Sequence, residues 1–288
     1  MLHRTRVSHH DEKIKTMKLG QTIVLSTLAM LFLYCGTSDK KKLESYFYSF
    51  DGTKIAYTDE GNGEVVMLIH GFITDGSSWS KTALKKSLLD KGYRVIVPDL
   101  RGNGKSDKPK QRETYMDDAE IKDLIALADH LKLEIYTAIG YSRGSIVLAK
   151  LLTQEKRISK AVLGGMGLDF TNPNWERRIA FANAFSGREK PNEMTEGAIN
   201  YAKSINADIE VLGFLQDFQP VTSINELQNV QNEILVICGT QDRDNGSPED
   251  LQKHIPHSKL VLVEGDHNNT YKQENFAIEI IDFLASEK

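Results

Sequence analysis

The sequence has few cysteines, few prolines and no excess of basic residues. Its two cysteines, Cys35 and Cys238, exclude a disulfide-stapled scaffold and a zinc site built from cysteines alone. With 7 prolines, 21 glycines and 40% hydrophobic residues, the chain is neither collagen-like nor low in complexity. The 36 basic residues do not outnumber the 40 acidic ones, and beyond the N-terminus they form no cluster, so no nucleic-acid partner is expected.

An uncharged hydrophobic segment covers residues 19–34, too short for a membrane-spanning helix but suited to the core of a secretory signal. Cys35 and the polar residues after it resemble a bacterial lipoprotein signal whose cysteine is lipidated, although Tyr34 stands where such signals carry a small residue. We expect residues 1–42 to form a signal or lipoprotein-type anchor with a polar tether, and the protein to be exported and membrane-anchored. An uncleaved anchor, an ordinary signal peptide and a cytoplasmic protein are the alternatives.

Residues 43–288 fit one large domain in which strand and helix patterns alternate. A hairpin is predicted over 45–58, and amphipathic helices over 118–131, from Ser247-Pro248 onward and over 274–284. Six short, mostly β-branched runs have the composition of strands covered by helices on both faces. Cys238 ends the run 234–238 and is expected to be a buried, unreactive side chain. This alternation predicts a doubly wound, mostly parallel α/β fold. The six runs are 65–69, 94–97, 135–139, 161–163, 234–238 and 260–263.

No strand-like run occurs from about 168 to 222. Three stretches within it combine aromatic and charged residues at helical spacing, so we expect a helical cap inserted between two strands. Its aromatic residues are expected mostly to pack the cap onto the core. They are Trp175, Phe181, Phe185, Tyr201, Phe214 and Phe218.

The pentapeptide Gly140-Tyr141-Ser142-Arg143-Gly144 lies between a predicted strand and a predicted helix. A G-x-S-x-G pattern alone is a weak signal, but in this strand–turn–helix context it is typical of a nucleophile elbow. The sharp turn exposes the serine hydroxyl, and the helix N-terminus behind it favours developing negative charge. Ser142 is therefore the predicted nucleophile.

Two further loops carry a resemblance to the α/β-hydrolase superfamily over nearly all of the chain from Ser45 onward. His70-Gly71-Phe72 follows a strand as the family's oxyanion loop does, and the segment 99–106 matches the family's D-x-R-G-x-G-x-S loop. The second loop is similar to that of esterases, non-haem perhydrolases and carbon–carbon bond hydrolases. The resemblance implies an α/β-hydrolase fold, and Ser142 argues against the members that use Asp as nucleophile, the haloalkane dehalogenases and epoxide hydrolases.

A serine nucleophile needs a base and an acid, which in this fold follow in the order Ser, acid, His. His267 directly follows a predicted strand and so belongs at the catalytic edge of the sheet, as the resemblance also implies. The family's G-x-x-D pattern falls on Asp242, with Asp244 as the nearest competitor.

The backbone N–H groups of Phe72 and Arg143 are the expected oxyanion donors in this fold. For the Arg143 side chain, an ion pair with a carboxylate on a neighbouring helix is expected rather than a substrate contact. No phosphate-binding, dinucleotide-binding or metal-binding motif occurs, so no cofactor and no metal are expected.

These features predict a serine hydrolase that acts on a small or medium, largely hydrophobic carboxylic ester through an acyl-enzyme. The aromatic cap favours such a small-molecule ester over a large polar polymer. The same triad permits carbon–carbon bond hydrolysis, amide or peptide cleavage and peracid formation, while a ligand receptor or an inactive scaffold would be non-enzymatic alternatives. The charged cap residues could bind a charged substrate, but a solvated helix face is the expectation for Glu176, Arg177, Arg178 and Arg188.

Overall fold

The computed structural model describes residues 43–286, and the predicted anchor with Cys35 lies outside these residues. Within the described part, no helix has the length and apolar character needed to cross a membrane. The strands of this part are β1 Leu43–Tyr48, β2 Lys54–Glu60, β3 Val65–Ile69, β4 Arg94–Pro98, β5 Tyr136–Tyr141, β6 Ile158–Gly164, β7 Glu233–Gly239 and β8 Ser258–Val263.

All eight strands form one sheet in the order β1-β2-β4-β3-β5-β6-β7-β8. The predicted hairpin is present as β1 and β2, which pair antiparallel, and β2 also pairs antiparallel with β4. The remaining neighbours, from β4 through β8, pair in parallel. The mostly parallel α/β fold is therefore confirmed.

Helices cover both faces of this sheet, which explains why the central strands are continuously apolar. One buried cluster joins the sheet to α2, α3 and α8, and the other joins it to α1 and α9. The α-helices of the described part are α1 Ala83–Asp90, α2 Ala119–His130, α3 Arg143–Leu152, α4 Glu176–Phe185, α5 Glu196–Ser204, α6 Ile209–Asp217, α7 Ile224–Gln228, α8 Pro248–Lys253 and α9 Glu274–Ala285.

The stretch predicted as a cap lies between β6 and β7 and, within the described chain, contains helices but no strand. A 3₁₀ turn, Leu168–Thr171, leads into α4, α5 and α6, which share an apolar cluster of their own. That cluster also includes Phe72 and Tyr115 from loops of the main body, so the cap helices pack onto the loops around the nucleophile.

Three details differ from the sequence-based expectations. The strand predicted over 135–139 runs from Tyr136 to Tyr141, since Ile135 is 65% exposed and the strand continues into the elbow. β8 is an edge strand with Leu262 exposed, so it is not covered on both faces as predicted. Helices α1 and α7 were not predicted.

Cys238 is buried as expected, and burial raises the pKa of its thiol to about 12.

Candidate active site

Ser142 occupies a strained turn between β5 and α3. Its backbone angles are φ 53° and ψ −126°, a conformation that an L-residue adopts only where the surroundings enforce it. The flanking glycines permit the turn: a Cβ at Gly140 would lie 2.4 Å from the carbonyl oxygen of Gly144, and a Cβ at Gly144 would lie 2.3 Å from that of Ile69. The strand–turn–helix geometry expected of the G-x-S-x-G pattern is therefore present.

The three predicted triad side chains form one hydrogen-bonded line. The Nε2 atom of His267 lies 2.8 Å from the Oγ of Ser142, and its Nδ1 atom lies 2.8 Å from an Oδ atom of Asp242. With Nδ1–H donating to the carboxylate, Nε2 is left to accept the serine proton. Asp242, which follows β7, is only 3% exposed, so its charge faces the imidazole rather than water.

Two neighbours that the sequence analysis did not single out lie close to His267. The hydroxyl of Tyr141 donates to the His267 carbonyl oxygen at 2.8 Å, and burial raises the pKa of this phenol, which keeps it a donor. The amide nitrogen of Asn245 donates to the Gly165 carbonyl and lies 3.4 Å from the Nδ1 of His267. Tyr141 lies within the G-x-S-x-G pentapeptide, whereas no motif marks Asn245.

The competitor for the acid position lies elsewhere. The Asp244 side chain is 56% exposed and faces Arg177 at 3.7 Å. Asp266, next to the histidine, accepts hydrogen bonds from the backbone of Asn268 and Asn269. Only Asp242 among these carboxylates contacts the imidazole.

The two predicted oxyanion amides, those of Phe72 and Arg143, lie in the loop after β3 and in the elbow. A Cβ at Gly71 would lie 3.4 Å from the Cβ of Ser142, which shows how closely the β3 loop approaches the serine. Within the described chain, the N–H groups of Phe72 and Arg143 donate to no protein acceptor. This arrangement suits an oxyanion hole, in which both donors must be free for the substrate.

The buried ring of His70 fixes the β3 loop at both of its nitrogens. Nδ1 lies 2.9 Å from the Gly71 carbonyl oxygen, and Nε2 accepts the backbone N–H of Leu100 at 3.0 Å. This pattern needs a neutral ring, and burial lowers the pKa of His70 below its usual value of 6.5. His70 therefore positions the loop that carries the Phe72 amide.

The side chain of Arg143 is engaged away from the substrate. Its guanidinium binds both carboxylate oxygens of Glu120 on α2, at 2.8 and 2.6 Å, and the Leu215 carbonyl on α6 at 2.9 Å. The expected ion pair with a neighbouring helix is thus present. Through Leu215 it also connects the elbow to the cap.

A cavity of about 600 Å³ lies over the triad. Ser142 and His267 form part of its wall, and the exposed side chains of Met194 and Tyr201 stand at its outer side. Its aromatic lining comes from both the cap and the main body, namely Phe72, Trp79, Tyr141, Phe181, Tyr201 and Tyr271. No cluster of potential metal ligands occurs among the described residues.

Two of the predicted cap aromatics, Phe185 and Phe214, contribute to packing. Phe185 is buried with its ring centroid 5.0 Å from that of Phe72, and Phe214 packs against Tyr115 at 5.6 Å. The prediction of a solvated face is wrong for Arg177 and Arg178, which are only partly exposed and line cavities at the triad.

Comparison with known proteins defines the family. The family model described as the alpha/beta hydrolase fold matches residues 64–183. A Synechocystis protein provisionally named a non-heme chloroperoxidase is 30% identical over 248 residues, which cover 73% of this chain and 87% of that protein. The chain belongs to the alpha/beta hydrolase family.

Two further similarities differ in extent. Epoxide hydrolase 3 of Siraitia grosvenorii is 34% identical over 106 residues, which cover 37% of this chain and 33% of that protein. The structure of an esterase from Exiguobacterium antarcticum aligns with a TM-score of 0.72 at 22% identity, covering 85% of this chain and all of the esterase. The structural likeness supports the fold and leaves the reaction to be argued from the site.

Proposed function

We propose that this protein is a serine hydrolase that cleaves a small or medium carboxylic ester through an acyl-enzyme on Ser142. The observation that carries the proposal is the hydrogen-bonded line from Ser142 through His267 to Asp242, with the free amides of Phe72 and Arg143 beside it. A nucleophile, a base with an orienting acid and an oxyanion site are the groups that acyl transfer requires.

The reaction follows from these positions. His267 Nε2 takes the proton from Ser142 as Oγ attacks the ester carbonyl, and the buried carboxylate of Asp242 stabilises the imidazolium that forms. The amides of Phe72 and Arg143 donate to the developing oxyanion, where loss of one such donor typically costs about 10²–10³ in rate. His267 then returns the proton to the leaving alcohol, and water activated by the same imidazole hydrolyses the acyl-enzyme.

The larger cavity supports an ester with an apolar part. Its volume of about 600 Å³ suits a small molecule, and its wall combines aromatic side chains with polar ones such as Asn268 and Lys272. Since its outer side carries exposed residues, it offers the leaving alcohol a route to solvent.

Peracid formation is a second candidate, supported by the name of the Synechocystis relative. On this site hydrogen peroxide would attack the acyl-enzyme in place of water, giving a peracid and regenerating the Ser142 hydroxyl. The two reactions share every step up to the acyl-enzyme, so they differ only in the molecule that His267 activates.

The test is hydrolysis of p-nitrophenyl acetate, butyrate and octanoate by the full chain, beside Ser142→Ala, His267→Gln and Asp242→Asn. We expect turnover by the wild type and a fall in kcat of about 10⁴ or more in each variant. Among the three esters, we expect kcat/KM of the wild type to be lowest for the octanoate. Adding hydrogen peroxide with an acetate ester tests the second candidate by peracid yield. Equal rates in the wild type and Ser142→Ala would contradict the proposal.

A further inference from the structure

A second, smaller cavity of about 70 Å³ adjoins Ser142 and His267 on the cap side. Water-sized groups each need roughly 10–15 Å³ of such space, so it holds a group of a few heavy atoms. Cationic and amide side chains make up a larger share of its lining than of the larger cavity's lining. Besides Ser142, His267 and apolar side chains, the lining consists of Arg143, Arg177, Arg178, Gln216, Gln219 and Asn245.

The charges of this lining are unbalanced. No Asp or Glu of the described chain lines the cavity. Arg143 is neutralised by Glu120, and Arg177 faces Asp244, but Arg178 forms no ion pair with a described carboxylate. Among the described residues, its hydrogen bond is a 3.5 Å contact with the backbone carbonyl of Asp217.

Partial burial gives the unpaired charge of Arg178 a desolvation cost. Burial lowers the pKa of its guanidinium, which shows that the charge is partly withdrawn from water. The nearby carboxylate of Asp217 is held by Arg188 at 2.5 and 3.0 Å and by Arg112 at 3.2 Å. A partly buried cation normally finds a partner, so Arg178 has capacity for an anion.

Two buried donors point to the same kind of ligand. Gln219 is 5% exposed, and its amide nitrogen has no hydrogen-bond partner in the described chain. The Nε atom of Arg143 is also buried, with no hydrogen-bond partner among the residues that the structure describes. Unsatisfied buried donors are uncommon in folded proteins because each carries a desolvation penalty. A ligand with acceptor oxygens would satisfy the amide and neutralise Arg178 together.

We propose that the small cavity binds a carboxylate at the end of the acyl chain, so that the substrate is a half-ester of a short dicarboxylic acid. This inference rests on the proposed function and departs from the sequence-based expectation of a largely hydrophobic ester. The acyl arm belongs here because it stays on Ser142 while the alcohol leaves through the larger cavity. Arg178 pairs with the carboxylate and Gln219 donates to it.

The test compares two ethyl esters of the same shape, monoethyl succinate and ethyl 4-methylpentanoate, in which an isopropyl group replaces the carboxylate. The acid released by the full-length protein is followed by titration at pH 7.5. We expect kcat/KM to be at least tenfold higher for monoethyl succinate. Arg178→Met and Gln219→Leu should each lower this ratio at least tenfold. The control Lys203→Met, which removes an exposed cation of the cap that lines neither cavity, should keep it.

A second readout separates failure of this inference from failure of the proposed function. Fluorophosphonate labels a reactive serine, and succinate should slow labelling of Ser142 in the wild type but not in Arg178→Met. Labelling that succinate does not slow, or a substrate ratio unchanged in Arg178→Met, would overturn the carboxylate site alone. No labelling of Ser142 together with no ester hydrolysis would overturn the proposed function and this inference with it.

Discussion

At the scale of single residues, Arg101 is a buried, ion-paired charge of the loop that matches D-x-R-G-x-G-x-S. Its side chain is fully buried and binds both carboxylate oxygens of Asp123, at 2.6 and 2.7 Å, and Asp51 at 2.9 Å. It also donates to the Thr114 carbonyl. The loop motif therefore stabilises the architecture near the site without contacting the triad.

We expect Arg101→Met to lower the free energy of unfolding by about 3–5 kcal/mol, because it leaves the buried Asp123 carboxylate without its partner. Urea denaturation of the variant and the wild type measures the difference. Lys86→Met, which removes an exposed i,i+4 pair with Asp90, is the control and should leave the midpoint unchanged. A midpoint for Arg101→Met equal to that of the control would contradict this role.

His70 gives stability a pH dependence of defined sign. Its folded-state pKa is lowered, so below pH 6.5 the unfolded chain binds a proton that the folded chain does not. The free energy of unfolding therefore falls as pH drops below 6.5, by up to about 1.4 kcal/mol per pH unit from this residue, until the folded-state pKa is reached. Above pH 6.5 the contribution is constant.

The measurement is urea denaturation of the wild type and His70→Gln between pH 7.5 and 5.0. The variant lacks the titrating ring, so the difference in stability between the two proteins should narrow as pH falls. Parallel curves over this range would show that His70 is not held neutral by the Gly71 and Leu100 contacts.

At the scale of elements, the cap depends on contacts between α4 and the β3 loop. Phe185 on α4 is 2% exposed and packs against Phe72, while Phe181 on the same helix lines the larger cavity. The cap helices share a cluster distinct from the two that flank the sheet. Loosening α4 should thus disturb substrate binding more than the triad.

We expect Phe185→Ala to remove about 3–5 kcal/mol of packing energy, confined mostly to the cap. KM for p-nitrophenyl butyrate should rise several-fold, while Ser142 still reacts with fluorophosphonate. Steady-state kinetics and labelling on the same sample measure both. Loss of labelling in step with activity would instead mean that α4 supports the elbow itself.

The sequence predicted elements well where local pattern decides them. β3 agrees to the residue with its apolar run, and α9 differs from its predicted range by one residue, because both bury continuous or striped apolar surface. Helix α1 was not predicted: its sequence, ALKKSLLD, buries Lys85, whose amine pairs with Glu60 of β2 at 2.7 Å. Such a partner is distant in sequence and leaves no periodic signal.

At the scale of the whole molecule, motif order predicted residues that the fold brings together from distant positions. Ser142, Asp242 and His267 follow three different strands whose carboxyl ends meet at one edge of the sheet, which is why spacing relative to strands was informative. The small cavity could not be predicted in this way. Its Arg178 and Gln219 come from separate parts of the cap stretch, and only packing shows that they adjoin the nucleophile.

The predicted anchor lies outside the described residues, so export, membrane attachment and lipidation of Cys35 stay predictions. The central claim concerns the described domain, and it is that Ser142 is the nucleophile of an acyl-transfer enzyme.

The most direct test is fluorophosphonate labelling of the full-length protein, with the modified residue located by peptide mass spectrometry. We expect one adduct per chain on Ser142, a large loss of labelling rate in His267→Gln, and none in Ser142→Ala. Pre-incubation with an ester that the protein hydrolyses should slow the labelling of Ser142. An unmodified Ser142 in folded protein, or an adduct that persists in Ser142→Ala, would contradict the assignment.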